Sequence, residues 1–176
     1  MSSNREERPS VQSLHLYLGL KRLGTNKDHQ CIRQVIRDEE LDLKVFEARL
    51  LVLGGEWRIH KTVNARCPEK AMKCLMKRLI DHPEMARNID VEWRTALLQP
   101  ECAKGNKLFM LDVDMEDVEP ILNCIKSSGG EMLWKVKSPK GWHVICRPFD
   151  TRQVCAMENV SLQRDGYVYV KTVGMA

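Results

Sequence analysis

The chain has 176 residues, of which 43% are hydrophobic and 30% are charged, and its net charge is +4 at pH 7. This is an ordinary globular composition, long enough for one well-filled core or for two small units that share one. The mild positive charge is compatible with an anionic partner but does not by itself indicate one.

Membrane and secretory signals are absent from the sequence. No apolar run reaches the roughly 18 residues that a membrane-spanning helix needs. The opening MSSNREERPS lacks the apolar core of a signal peptide. We therefore expect a cytoplasmic protein with no membrane partner.

The cysteines do not have the spacing of a zinc site. None of the seven forms a CxxC pair, and most lie in apolar or amphipathic runs, where a free cysteine behaves as a small hydrophobe. An odd number in a reducing compartment favours free thiols. The seven are Cys31, Cys67, Cys74, Cys102, Cys124, Cys146 and Cys155.

The first half of the chain predicts an α/β unit over residues 13–104, after a polar tail at residues 1–12. Helical spacing predicts a helix in NKDHQCIRQVIRDEE, capped by Asn26 or Asp28. VFEARLLVLGG and EWRIHKTVN read as two strands of a hairpin around a Gly-Gly turn. PEKAMKCLMKRLIDHP is the clearest helix, and VEWRTALLQP predicts a shorter one that Pro100 ends.

The second half, residues 105–176, has a more regular order. KLFMLDVD, EMLWKVK, WHVICRPF and ENVSLQ predict strands, and EDVEPILNCIKSSGG and DTRQVCAM predict helices. A last strand, YVYVKTV, follows the turn RDG. Strand, helix, strand, strand, helix, strand is the order of a ferredoxin-like, RRM-like βαββαβ unit. We therefore predict an α+β fold in which this unit packs with the first, so that the two form two domains or one joint catalytic core.

Two aspartates stand at the end of the first strand of this unit. Alternation places Met110, Asp112 and Asp114 on one face of the strand, and Leu111 and Val113 on the face under the helices. Paired carboxylates on one face are able to hold a divalent ion such as Mg²⁺. The alternative is that Asp114 or Asp117 caps the next helix and that Asp112 is simply solvated.

The turn SPKG and the strand after it carry a second set of polar groups. Ser138, Lys140, the backbone of Gly141 and His143 together make a reasonable phosphate clamp. In a ferredoxin-like sheet the end of the first strand lies beside the start of the third, so His143 and the aspartates should share one edge. The alternative is an ordinary hairpin turn with a half-buried histidine.

DVD followed by SPKGWH resembles the motifs of the archaeo-eukaryotic primase and primase-polymerase superfamily. The resemblance covers roughly residues 107–173. It implies that Asp112 and Asp114 are catalytic metal ligands for Mg²⁺ or Mn²⁺, and that Ser138, Lys140, Gly141 and His143 contact an incoming nucleotide. The family's third motif supplies another acid, but Ser161 stands at that position here. Glu158, at the near end of the same strand, is then the candidate third ligand.

Arg58 and Arg66 flank the strand WRIHKT and the start of the main helix, where basic residues are able to take up phosphate. The sequence hypothesis is thus a small metal-dependent nucleotidyltransferase of DNA replication, with nucleoside triphosphates and DNA or RNA as partners. Two alternatives remain open. One is a metal-dependent nuclease that uses the same acids, and the other is a nucleic-acid-binding module whose site is degenerate.

Overall fold

A computed structural model describes residues 13–23, 29–37 and 39–175. In this part of the chain, eight strands form two antiparallel four-stranded sheets, accompanied by five α-helices. The predicted α+β class is confirmed at this level. The predicted tail at residues 1–12 and the proposed caps Asn26 and Asp28 lie outside the described residues.

The first sheet has the strand order β2-β1-β3-β8. Its strands β1 and β2 pair antiparallel along their whole length, and β3 lies between β1 and the last strand of the chain, β8. The predicted unit 105–176 therefore gives one strand to this sheet. The bounds are β1 Leu14–Arg22, β2 His29–Arg37, β3 Trp57–Thr62 and β8 Tyr167–Val173.

The second sheet has the order β5-β6-β4-β7, with β4 central and antiparallel to both of its neighbours. Its strands carry the DVD and WHV stretches. The bounds are β4 Phe109–Val113, β5 Met132–Lys137, β6 Trp142–Cys146 and β7 Val160–Gln163.

Helices cover the outer faces of both sheets. In the described residues no helix is long and apolar enough to cross a membrane. Two 3₁₀ turns, Pro83–Asn88 and Pro100–Cys102, flank α3. The α-helices are α1 Glu40–Val52, α2 Pro68–Asp81, α3 Ile89–Leu97, α4 Glu119–Ser127 and α5 Arg152–Cys155.

The sheets and helices stack in layers. Phe46 and Leu50 of α1 pack on one face of the first sheet, and Ile121 and Ile125 of α4 pack under the second. Between the sheets lies a small apolar cluster of Val63, Met110, Ile145 and Val168. Each fully buried aliphatic side chain of this kind contributes about 1.5–3 kcal/mol to stability. The inner faces of the two sheets therefore meet at this cluster, and a cleft lies farther along them.

Two predicted elements are wrong in type, and one predicted pairing is wrong. Residues 29–37 form β2 rather than part of a helix, and residues 45–52 lie in α1 rather than in a strand. The predicted hairpin between residues 45–55 and 56–64 therefore does not exist, because β3 pairs with β1 and β8 instead. The remaining predicted helices and strands are found where the sequence placed them.

A buried polar cluster ties β3 and the start of α2 to the turn between β7 and β8. Arg66 is fully buried, and its Nη2 donates to Asp165 Oδ1 at 2.6 Å. Asn64 donates to the same oxygen at 3.0 Å, and Asn64 Oδ1 accepts the N–H of Leu108 at 2.7 Å. This cluster links both sheets through charge-assisted hydrogen bonds.

We expect Asp165→Ala to lower the free energy of unfolding by about 2–4 kcal/mol, because it leaves the buried Arg66 guanidinium without its counter-charge. Chemical denaturation measures this change. The matched control is Glu131→Ala, which removes an exposed carboxylate paired with Arg147 at 3.0 Å and should change stability little. Equal losses in the two variants would contradict the role given to the buried pair.

Candidate functional site

Asp112 stands at the centre of a row of three residues that crosses the second sheet. Its direct partner on β6 is His143, and its direct partner on β7 is Ser161. Leu111 and Val113 are fully buried among the helices, so Asp112 faces the other sheet. The prediction that the end of the DVD strand lies beside the start of the WHV strand is confirmed.

Asp114 follows the strand end and is exposed. Its N–H donates to Asn159 O at 2.9 Å, which fastens the end of β4 to the turn before β7. Of the two predicted cap candidates, Asp117 is the one beside α4: its Oδ1 accepts the Glu119 N–H at 3.0 Å, while Val118 occupies the N-cap position. Asp114 is thus left with its carboxylate at the mouth of the cleft described below.

His143 is held from the opposite sheet. The backbone N–H of Tyr169, on β8, donates to His143 Nδ1 at 2.9 Å. Nδ1 must therefore be the acceptor nitrogen, and the neutral ring carries its proton on Nε2. Nε2 lies 3.5 Å from Asp112 Oδ1.

Burial lowers the pKa of His143, although the nearby carboxylates of Asp112 and Asp114 act in the opposite direction. The hydrogen bond from Tyr169 also favours the neutral form, since a protonated Nδ1 has no lone pair to accept it. At neutral pH His143 is thus an uncharged donor that presents Nε2–H to the site.

Two hydrogen bonds between Ser138 and Gly141 close the turn before β6. Ser138 Oγ accepts the Gly141 N–H at 3.1 Å, and the Ser138 N–H donates to Gly141 O at 2.8 Å. A Cβ at Gly141 would clash with Val113 O, so only glycine permits this approach to the end of β4. The Gly141 amide is already bonded, whereas the Ser138 hydroxyl keeps its own proton to donate.

A cleft of about 590 Å³ lies between the two sheets and brings most of the predicted residues together. The second sheet supplies Asp112, Asp114, Ser138, Lys140 and His143. The first sheet and its loops supply the opposite wall, which is rich in basic groups. Its described lining residues are Leu20, Lys21, Arg22, His29, Gly55, Glu56, Arg58 and His60.

The other predicted residues lie in different places. Arg58 lines the cleft, with Nε 3.8 Å from Glu56 Oε1. Arg66 does not line it; its guanidinium is buried against Asp165 and has no exposed surface for a ligand. Glu158 lies in the turn before β7, next to Asn159, and does not line the cleft either.

His60 is the residue at the site that the sequence reasoning passed over. It lies on the same strand face as Arg58, and its ring centroid is 6.4 Å from that of His143 and 5.7 Å from that of Tyr169. Its Nδ1 is buried without a hydrogen-bond partner among the described residues. Burial, followed by the neighbouring His143, lowers the pKa of His60 to about 4.

Lys21 and Arg22 were also missed, because strand β1 was not predicted. The alternation in LHLYLGLKR is the signal that could have found that strand. Lys21 Nζ donates to Gly54 O at 2.8 Å and lies 5.7 Å from the Trp57 ring centroid. This places its charge on the wall opposite the aspartates.

The donor set at the cleft fits a hard divalent cation that shares its coordination with a substrate. Among the described residues, no group of three or more His, Cys, Asp or Glu side chains is arranged to hold a metal by itself. Asp112 and Asp114 offer two carboxylates, and Mg²⁺ is commonly held by one or two carboxylates together with water and substrate phosphates. Neutral His143 beside them is a hydrogen-bond donor rather than a competing charge.

Comparisons of the chain with protein-family models, with curated proteins and with solved structures found no match. The geometry of the cleft is therefore the basis on which a function is inferred.

We expect the free energy of unfolding to fall as the pH drops from about 6.5 towards 4. In that window an unfolded histidine takes up a proton, whereas folded His60, with a pKa of about 4, does not. Above pH 6.5 neither state binds the proton, so the effect vanishes. Denaturant titrations at several pH values measure it.

His60→Gln should flatten this pH dependence, with His143 accounting for part of what remains. The matched control is His82→Gln, since the side chain of His82 is 59% exposed. If the free energy of unfolding of His60→Gln changed with pH as steeply as that of the wild type, His60 would not be held in the neutral form.

Proposed function

We propose that the protein is a divalent-metal-dependent nucleotidyltransferase of the primase-polymerase type, acting on nucleic acid with nucleoside triphosphates as substrates. The observation that carries the proposal is the position of Asp112, Asp114 and His143 at one edge of a sheet, facing a cleft with a basic opposite wall. Carboxylates for a metal and cations for phosphates are the two requirements of phosphoryl chemistry.

The arrangement of the second sheet supports the same proposal. Its order β5-β6-β4-β7 and antiparallel pairings are those of a βαββαβ unit whose first and third strands are central. We propose on this basis that strands β4 to β7 with α4 and α5 form a ferredoxin-like, RRM-like unit. The motifs that resemble the primase-polymerase superfamily lie at the end of β4 and at the start of β6 with the turn before it, and these are its two central strands.

The roles of the side chains follow from their positions. Mg²⁺ or Mn²⁺ held by Asp112 and Asp114 would polarise a phosphate and neutralise its charge. His143 donates from Nε2 to a phosphate oxygen beside Asp112, and the Ser138 hydroxyl donates from the turn. The cationic groups of Lys140 and of Arg58, on opposite walls, bind the remaining phosphate charge.

A second candidate function is a nucleic-acid-binding module without catalysis. The observation that favours it is Ser161, which pairs directly with Asp112 where the primase-polymerase superfamily has a third acid. Such a module would use the basic wall for binding, and the binding would weaken steeply with salt. It would bind equally well with and without divalent metal.

We expect Asp112→Asn and Asp114→Asn each to reduce primer extension by roughly 100-fold or more, because each removes a metal-binding charge at the reacting phosphate. The assay uses a labelled primer-template, all nucleotides, and Mg²⁺ or Mn²⁺ separately. The matched control is Asp117→Asn, an exposed aspartate of the same loop whose cap an asparagine preserves. Thermal melting checks that all variants fold.

The pattern of products separates the hypotheses. Extension by the wild type that is lost in both variants but kept in Asp117→Asn supports the transferase. Shortened products with the same dependence identify a nuclease instead. Nucleic-acid binding that persists in EDTA, with no product under either metal, contradicts the transferase and favours the binding module.

Ser161→Asp should restore a third acid beside Asp112 and lower the metal concentration needed for half-maximal activity by about 10-fold. A metal titration of nucleotide binding or of extension measures this shift. The charge-matched control is Ser127→Asp at the end of α4, outside the cleft. An unchanged or higher half-maximal metal concentration in Ser161→Asp, compared with the wild type, would show that this face does not bind the cation.

A further inference from the structure

Two cysteines lie against each other at the contact between α2 and the 3₁₀ turn Pro100–Cys102. Cys74 Sγ is 3.7 Å from Cys102 Sγ. Cys102 is fully buried, whereas Cys74 is partly exposed and its sulfur also lies 3.8 Å from Glu101 Oε1. One sulfur of the pair is therefore reachable from solvent, and the other is held directly behind it.

Backbone hydrogen bonds already connect the start of α2 with the 3₁₀ turn that carries Cys102. The Cys67 N–H, at the start of α2, donates to Cys102 O at 2.8 Å, and the Lys104 N–H donates to Ala65 O at 2.8 Å. Ala71, Leu97 and Cys102 form one buried cluster with Cys74 at its edge. To form a disulfide, the sulfurs need to move from 3.7 Å apart to the roughly 2.05 Å of an S–S bond.

We propose that Cys74 and Cys102 form a reversible intramolecular disulfide when the protein meets a small oxidised disulfide such as glutathione disulfide. The bond would close a covalent loop that contains α3. It would also link α2 covalently to the segment that leads into β4. This site is separate from the cleft, and the proposal does not depend on the proposed function.

The exchange balances in two steps. The Cys74 thiolate attacks one sulfur of glutathione disulfide, which breaks the oxidant's S–S bond and releases one glutathione. The Cys102 thiol then gives its proton to solvent, and its sulfur attacks the Cys74 sulfur of the mixed disulfide, releasing the second glutathione. Two protein thiols are oxidised, and one glutathione disulfide is reduced to two glutathiones.

The second step should be the slower one. Burial raises the pKa of the Cys102 thiol, and this cause persists when Cys74 is in the mixed disulfide. Because the attacking species is the thiolate, ring closure should accelerate by about 10-fold for each pH unit between roughly pH 7 and 9.

The test treats the full chain with glutathione disulfide and follows intact mass, peptide mapping and thermal melting. We expect a loss of two hydrogens, a cross-linked peptide pair containing Cys74 and Cys102, and a melting temperature higher by up to about 10 °C. Dithiothreitol should reverse all three. A mixed disulfide that persists on Cys74, or a cross-link between other cysteines, would overturn the proposal.

Cysteine-to-serine variants test which two thiols form the disulfide. Cys74→Ser and Cys102→Ser should each abolish the cross-link, whereas a Cys31→Ser/Cys155→Ser double variant at two exposed cysteines should keep it. Because Cys102 is buried, the decisive result is the cross-link mapped in the wild-type chain. That result stands even if Cys102→Ser folds poorly.

Discussion

The hydrogen bond from the Tyr169 N–H to His143 Nδ1 is the constraint on which the candidate site depends. It joins the backbone of one sheet to a side chain of the other and sets the tautomer of the imidazole. The pairing of β3 with β8 shifts register between Ile59 and His60, beside Tyr169. Because β8 is also an edge strand of its sheet in the described part of the chain, alternate backbone N–H groups on it have no ladder partner, and His143 accepts the one from Tyr169.

The electrostatics of the cleft follow from that bond. With His143 and His60 both neutral, the centre of the site carries only the two carboxylate charges of Asp112 and Asp114. Lys140 and Arg58 place positive charge on the rim instead. A negative centre inside a positive rim attracts a small cation to the middle and a polyanion around it. The cleft is therefore complementary in charge to a metal–phosphate substrate.

The elements that the sequence predicted correctly carry signals that favour one structure. KLFMLDVD is a short apolar run that ends in polar residues, as a buried strand does, and in α2 the spacing of Ala71, Cys74 and Leu75 fits only a helix. In β2, by contrast, Ile32 and Ile36 are four residues apart, a spacing that puts two side chains on one face of a strand and of a helix alike. The sequence of α1 reads as a strand because apolar residues occur on all sides of the helix and not on its buried face alone. Leu41, Val45 and Val52, for example, are exposed. The aspartates and His143 were placed together correctly because the order of the elements determined their neighbours, whereas the basic wall depended on a strand, β1, that was not predicted.

The position of β8 decides how much of the chain the site needs. The DVD and SPKGWH motifs both lie within residues 105–176, but Tyr169 belongs to a strand that pairs with β3 of the first half. A fragment cut at residue 105 would keep the aspartates and His143 while β8 lost the neighbour that fixes its register. His143 would then lose the fixed N–H donor from which its Nδ1 accepts, and Nε2 would no longer be compelled to carry the proton. The two sheets are therefore coupled through the chemistry of one imidazole as well as through the apolar contact between Met110 and Val168.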